Sequence, residues 1–141
     1  MHLCTYFDGR YLSRGLALYG SLCRHAPAAH LYVLCMDGRA YESLMKLELP
    51  RVHPIKLADF EARDDELAAA KANRTLVEYY FTCTPSLPLY VLDRFPGIER
   101  IFYIDADFYF FSPATALLDD WGQGSIYLVA HRFPDSLRER E

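Results

Sequence analysis

The sequence predicts an α/β domain in which helices cover both faces of a mostly parallel sheet. Short apolar runs alternate with amphipathic segments along most of the chain. Several of these runs are apolar at nearly every position, which is typical of strands buried on both faces of a sheet. Asp-Gly pairs follow two of the runs and separate each from the next segment. This order of elements favours parallel strands joined by helical crossovers, a Rossmann-like arrangement.

The first part of the chain is predicted to contain three strands and two helices. We expect the strands at residues 2–7, 30–36 and 52–57. The third contains Pro54, which removes a backbone donor and therefore indicates a weaker strand near an edge of the sheet. Apolar residues recur at helical spacing in the two segments between the strands, at residues 11–24 and 40–47.

The second part is predicted to contain four helices and two strands. Acidic residues open the first helix, Thr75 and Glu78 fit a capping box for the second, and Pro85 fits the first turn of a third. A short helix follows Pro113 and separates the last two strands. The predicted positions are residues 64–72, 75 onward, 85–94 and 113–119 for the helices, and 100–105 and 125–130 for the strands.

Bulk properties limit the possible partners. The chain of 141 residues is long enough for one domain with its own core, which we place at residues 1–134, before a charged tail at 135–141. A net charge of -4 without basic clusters argues against nucleic acid. No apolar segment approaches the ~20 residues of a membrane span, and because the chain opens with a strand-like run we expect no signal peptide. Four scattered cysteines suit buried free thiols in a reducing compartment, so we expect a cytoplasmic protein.

The predicted strand at residues 100–105 ends in two acids, Asp105 and Asp107, separated by a small alanine. In open α/β sheets, ligands bind outside the carboxyl ends of the strands. Two hard oxygen ligands at this spacing suit Mg²⁺ or Mn²⁺ holding a diphosphate. Two other interpretations stay open: simple turn and cap chemistry, or a phosphatase-type Asp nucleophile with an Asp partner.

Other polar residues are candidates for the same site. Asp8 and Tyr11 follow the first strand, where the acid can accept a hydrogen bond from a base and the ring can stack on it; alternatively they cap and support the first helix. Arg74 follows an Ala-rich helix and can neutralise a phosphate or reach a sugar hydroxyl. Lys71, one turn earlier, fits better as a basic residue that is favourable at a helix end.

Three segments together resemble the nucleotide-diphospho-sugar glycosyltransferases of the GT-A fold, and most of all the family 8-like type that includes glycogenin and lipopolysaccharide galactosyltransferase. The resemblance extends from Cys4 to Phe133. The segments, in chain order, are CTYFDGRYLSRGLALYGSL, NRTLVEYYFTCTPSLPLYVL and IERIFYIDADFYFFSP.

The resemblance implies a metal-dependent glycosyltransferase that uses a nucleotide-diphospho-sugar donor, typically a UDP-sugar, in reactions such as polysaccharide biosynthesis. The first-strand turn would hold the uridine through Thr5, Asp8 and Tyr11. Asp105 and Asp107 would bind Mn²⁺, or Mg²⁺, and the donor diphosphate. A basic residue of the middle helices reaches the donor in that family, and Arg74 fits this role here. The acceptor would be a sugar, a lipid-linked molecule or a protein.

The sequence also departs from that family. Family 8 enzymes have a downstream half with a metal-binding His and the acceptor pocket, and nothing after Arg132 supplies one. Tyr79-Tyr80-Phe81 replaces the Tyr-Tyr-Arg of many relatives. We therefore expect a truncated chain, the N-terminal donor-binding part of a longer enzyme. The rival hypotheses are a non-catalytic nucleotide-sugar-binding remnant and a hydrolase that uses Asp105 as nucleophile.

Overall fold

The computed structural model describes residues 1–128 and is built on four parallel strands. The strands lie in the order β3-β2-β1-β4. Their bounds are β1 His2–Phe7, β2 His30–Cys35, β3 Val52–Lys56 and β4 Phe102–Tyr103. All three pairings are parallel, so the predicted α/β class with a parallel sheet is confirmed.

Six helices connect or follow these strands within the described residues. Their bounds are α1 Leu12–His25, α2 Gly38–Leu47, α3 Leu57–Glu61, α4 Asp65–Asn73, α5 Leu76–Arg94 and α6 Ala116–Trp121. Among them, α3 was not predicted, because its single turn directly follows β3 and has no room for an apolar stripe. The capping box predicted for α5 is present: Glu78 N donates to Thr75 Oγ1, and the Thr75 N–H donates to Glu78.

Helices cover both faces of the sheet, as predicted. Side chains of β1 and β2 alternate between two apolar clusters, which is the two-residue period of a strand. Helices α1 and α2 supply one cluster with Leu18, Leu22 and Leu44. Helices α3, α4 and α5 supply the other, and the buried residues of that cluster include Phe60, Leu67, Tyr79, Cys83, Leu87 and Val91.

The middle of the chain differs from the prediction, because the two helices expected from residues 75 and 85 form the single helix α5. Pro85 and Pro88 lie inside it. Each proline removes one backbone hydrogen bond of the helix. Burial of Tyr79, Cys83, Leu87 and Val91, spaced four residues apart, keeps one face of the helix on the sheet across both prolines.

The strand that precedes the two acids is shorter than expected and lies at an edge of the described sheet. Only Phe102 and Tyr103 form β4, and burial alternates instead of being complete over residues 101–104. The strand expected at residues 125–130 is absent from 125–128, where Ile126 and Leu128 are exposed. Its last residues and the tail at 135–141 lie outside the described residues. Pro54 does lie in an edge strand, as predicted.

All four cysteines are free thiols, of which Cys4, Cys35 and Cys83 are buried. Burial raises the pKa of Cys4 and of Cys35 to about 12, and that of Cys83 to about 11. These three thiols are therefore protonated near neutral pH and poorly reactive. Every helix within residues 1–128 is too short or too polar to cross a lipid bilayer.

Helix α1 approaches β1 closely at Gly15, and this contact yields a test of the packing. A Cβ atom at Gly15 would lie 2.5 Å from Cε1 and 2.6 Å from Cζ of Phe7, a ring that is buried. We expect Gly15→Ala to lower the free energy of unfolding by about 1–3 kcal/mol, because the ring or the helix must move. Urea denaturation measures this change.

Gly20 lies in the same helix and is the matched control. A Cβ atom there meets nothing within 4 Å. Gly20→Ala should therefore raise the free energy of unfolding by roughly 0.5–1 kcal/mol through helix propensity alone. Equal effects of the two substitutions would contradict the close packing of α1 on β1.

Candidate functional site

The two acids of the Asp-x-Asp segment and the turn after β1 meet at one edge of the sheet. The chain passes from β1 to β2 and β3 on one side, then returns to place β4 on the other side of β1. Such a reversal opens a crevice at the carboxyl ends of the two strands concerned. A cavity of about 520 Å³ lies there, and Asp8, Asp105 and Asp107 line it. We call it the carboxylate cavity.

The turn after β1 is held by side-chain hydrogen bonds. Asp8 Oδ1 accepts from the backbone N–H groups of Arg10 at 2.9 Å and of Tyr11 at 3.2 Å. The N–H of Gly9 donates to the carboxylate of Asp37, which also caps α2 by accepting from the N–H of Ala40. Asp8 thus fixes the turn before α1, and the fixed turn places Tyr11 in the cavity wall.

The segment that carries the other two acids is anchored on both sides. Before it, Ile104 N donates to Cys4 O at 3.1 Å. After it, the N–H of Phe110 donates to the buried hydroxyl of Ser21 on α1 at 3.1 Å. Ala106 is buried between the two acids, so the side chains of Asp105 and Asp107 remain exposed at the cavity.

Tyrosines form a second part of the cavity wall. Tyr103 donates its hydroxyl hydrogen to Asp105 Oδ1 at 3.1 Å. Burial raises the pKa of Tyr103, and burial together with the nearby Asp8 raises the pKa of Tyr80. Both phenols therefore stay protonated at neutral pH and keep a hydrogen to donate. The guanidinium of Arg14 stacks on the exposed ring of Tyr11, with its carbon 4.3 Å from the ring centroid.

Among residues 1–128, Arg10 is the one cation that lines this cavity, and sequence reasoning missed it. Within the described part of the chain, three carboxylates and one guanidinium line the same space, so Arg10, a metal or both would meet an anionic ligand there. The position of Arg10 between Asp8 and Tyr11 was the available signal. Leu76, Val77 and Phe81 of α5 complete an apolar side of the cavity.

Two predicted site residues lie elsewhere. Thr5 is fully buried in β1, and it is not among the residues that line the carboxylate cavity. Arg74 lines a neighbouring open pocket of about 640 Å³, and its guanidinium donates to Thr82 Oγ1. Lys71 forms an ion pair with Glu61 at 2.7 Å, on the side of the fold that faces β2 and β3.

Metal binding at this edge would depend on few protein ligands. Within residues 1–128, no group of three or more His, Cys, Asp or Glu side chains is arranged to hold a metal ion. Asp105 and Asp107 are two carboxylates of the class that Mg²⁺ and Mn²⁺ prefer. Mg²⁺ commonly binds one or two carboxylates and completes its shell with water and substrate phosphates, so this pair fits such an ion.

The buried hydroxyl of Thr5 allows a test of whether this residue serves folding or binding. Thr5 Oγ1 has no hydrogen-bond partner within the described residues. We expect Thr5→Val to raise the free energy of unfolding by about 1 kcal/mol, because an unpaired buried polar group is removed. A loss of nucleotide affinity in this variant would instead support the uridine contact expected from the sequence.

Ser21→Ala is the contrasting control. Ser21 is also fully buried, but its hydroxyl donates to Leu18 O at 2.7 Å and accepts from the N–H of Phe110. Its removal leaves that N–H unpaired and should lower the free energy of unfolding by roughly 1–3 kcal/mol. Urea denaturation of both variants separates the two cases.

Comparison with known proteins gives relatives but no activity. No protein-family model matches the chain. The chain is 33% identical over 131 residues to the uncharacterized protein YfnD of Bacillus subtilis (strain 168), covering 93% of this chain and 42% of YfnD. It is 28% identical over 125 residues to the uncharacterized protein YfnF of the same organism, covering 89% of this chain and 41% of YfnF. The chain therefore spans about two fifths of the length of these curated relatives, and neither name states a function.

Proposed function

We propose that the carboxylate cavity binds a nucleotide-diphospho-sugar and that the chain is the donor-binding part of a metal-dependent glycosyltransferase of the GT-A type. One observation carries this proposal. Asp105 and Asp107 share a cavity with the turn of Asp8 and Tyr11, at the point where the strand order reverses. A nucleotide ligand needs both parts of this arrangement: the two acids for its diphosphate and the turn for its planar base. A UDP-sugar is the donor that the resemblance favours.

The diphosphate would lie between the acids and the turn. Asp105 and Asp107 would hold Mn²⁺ or Mg²⁺, and the bound ion would neutralise charge on the departing nucleoside diphosphate. Arg10 would contact a phosphate oxygen directly, since its guanidinium lines this cavity. Tyr103 holds Asp105 by a hydrogen bond to one oxygen, which leaves the other oxygen for the ion.

The base would lie against the turn after β1. Arg14 stacks on the Tyr11 ring and restricts its orientation, so the ring is held ready to stack on a planar base. Asp8 uses Oδ1 for the turn, and Oδ2 would accept from an N–H of the base. The buried free thiols are compatible with an enzyme of the cytoplasm, the compartment in which nucleotide-diphospho-sugar donors are used. The transferred sugar would go to a sugar, lipid-linked or protein acceptor.

Calorimetric titration of UDP with Mn²⁺, followed by chelator, tests the donor site. We expect micromolar binding that disappears when the ion is removed. Asp107→Asn should weaken UDP binding by at least about tenfold, since even indirect partners of a metal ligand affect metal affinity that much. The melting temperature should stay within one or two degrees of the wild type, because Asp107 is exposed.

Asp120→Asn is the matched control, since it removes the same charge from an exposed position of α6 that does not line the cavity. It should leave UDP affinity unchanged. Unaltered UDP affinity in Asp107→Asn would refute the metal role of that residue. Donor binding without transfer or hydrolysis, even when candidate acceptors are supplied, would favour a non-catalytic binding module. A phospho-aspartate that is lost in Asp105→Asn would indicate a hydrolase instead.

A further inference from the structure

The open pocket beside the carboxylate cavity has the chemistry of a neutral sugar site. Its lining residues are Asn73, Arg74, Glu78, Phe81, Thr82 and Pro85, and its volume is about 640 Å³. We propose that this pocket is an acceptor subsite that binds a saccharide. The inference rests on the proposed function, because it assigns the second substrate of the same reaction. We call the pocket the Arg74 pocket.

The polar groups of the pocket suit hydroxyl groups better than a phosphate. An amide, a guanidinium and a carboxylate offer both donors and acceptors, and each sugar hydroxyl can donate and accept. Glu78 is the one carboxylate among the described lining residues, so the pocket offers no carboxylate pair that could hold a metal ion for a diphosphate. Hydrogen bonds from Thr75 lower the pKa of Glu78, so this side chain is an acceptor at neutral pH. A neutral ligand with many hydroxyls is the best match.

The hydrogen-bonding capacity of these groups is only partly used. Arg74 donates from one terminal nitrogen to Thr82 Oγ1, and Thr82 in turn donates to Glu78 O at 2.7 Å. This chain of bonds holds the guanidinium against α5. Within residues 1–128, the other N–H groups of Arg74 and the second carboxylate oxygen of Glu78 have no protein partner. Both side chains are exposed and can reach a ligand.

Phe81 supplies an apolar surface and fixes the position of the pocket relative to the donor site. Its side chain is 68% exposed, because it does not lie on the buried face of α5 that contains Tyr79 and Cys83. The exposed ring gives the C–H face of a sugar a flat surface to pack on. Phe81 also lines the carboxylate cavity, so the two sites share a wall. A saccharide on this ring would lie beside the sugar of a donor held at Asp105.

Saturation-transfer NMR with lactose, methyl β-D-glucopyranoside and methyl α-D-mannopyranoside tests the inference on the full chain. We expect at least one saccharide to bind the wild type, with or without UDP and Mn²⁺. Arg74→Gln should weaken that binding by at least about tenfold, because charge-assisted hydrogen bonds are lost. The same variant should bind UDP with Mn²⁺ as the wild type does.

Arg10→Gln is the matched control, with the reverse pattern expected. Of the two sites, Arg10 lines the carboxylate cavity and not the Arg74 pocket. This variant should therefore lose UDP affinity and keep saccharide binding. Three results would overturn the inference: no saccharide binding by the wild type, unchanged saccharide binding in Arg74→Gln, or loss of UDP affinity in Arg74→Gln. Saccharide binding that depends on Arg74 in a chain that never binds UDP would show a saccharide site at the Arg74 pocket, and it would refute both the donor proposal and the acceptor role.

Discussion

The position of β1 is the constraint on which the other elements depend. Its side chains are covered by helices on both faces, and its backbone pairs with β2 on one edge and β4 on the other. A parallel strand with two neighbours obliges the chain to cross the sheet by helices, since no tight turn can join parallel strands. The crossover from β3 to β4 contains α3, α4 and α5 and passes over the face opposite α1 and α2. The carboxyl ends of β1 and β4 therefore lie side by side, and the acids that follow both strands line one cavity.

Much of this fold follows from local sequence patterns. Apolar runs with Asp-Gly turns give β1 and β2, and Pro54 marks an edge strand. The length of β4 could not be predicted from the sequence. An apolar run indicates that a segment is buried, but it does not indicate how many of its residues pair with a neighbouring strand. The continuity of α5 did not follow either. Proline has a strong local preference for helix starts, and only the packed sheet shows that burial of one helix face outweighs two missing hydrogen bonds.

The candidate site likewise contains residues that sequence patterns predict and residues that they do not. Asp8, Tyr11, Asp105 and Asp107 were predicted together because strand ends of a parallel sheet meet at one edge, and the structure places all four on one cavity. Thr5 was predicted with them by resemblance, yet its side chain is fully buried, because helices cover both faces of β1. Whether a residue such as Arg74 reaches a given cavity depends on the angle at which α4 meets α5, and no short-range pattern specifies that angle. Arg10 was missed because a single arginine in a turn belongs to no periodic pattern, and only its place between Asp8 and Tyr11 pointed to the cavity.

The hydrogen bond from the Phe110 N–H to Ser21 joins the acidic segment to the middle of α1. A hydrogen bond of this kind makes the two elements thermodynamically linked, since loosening of the segment exposes a buried hydroxyl of the helix. A ligand that favours the ordered segment would then also stabilise α1 around Ser21 and slow the exchange of amide hydrogens there. Occupancy at the sheet edge would thus stabilise the third turn of α1, well beyond the N-cap residue Tyr11 that the base would contact.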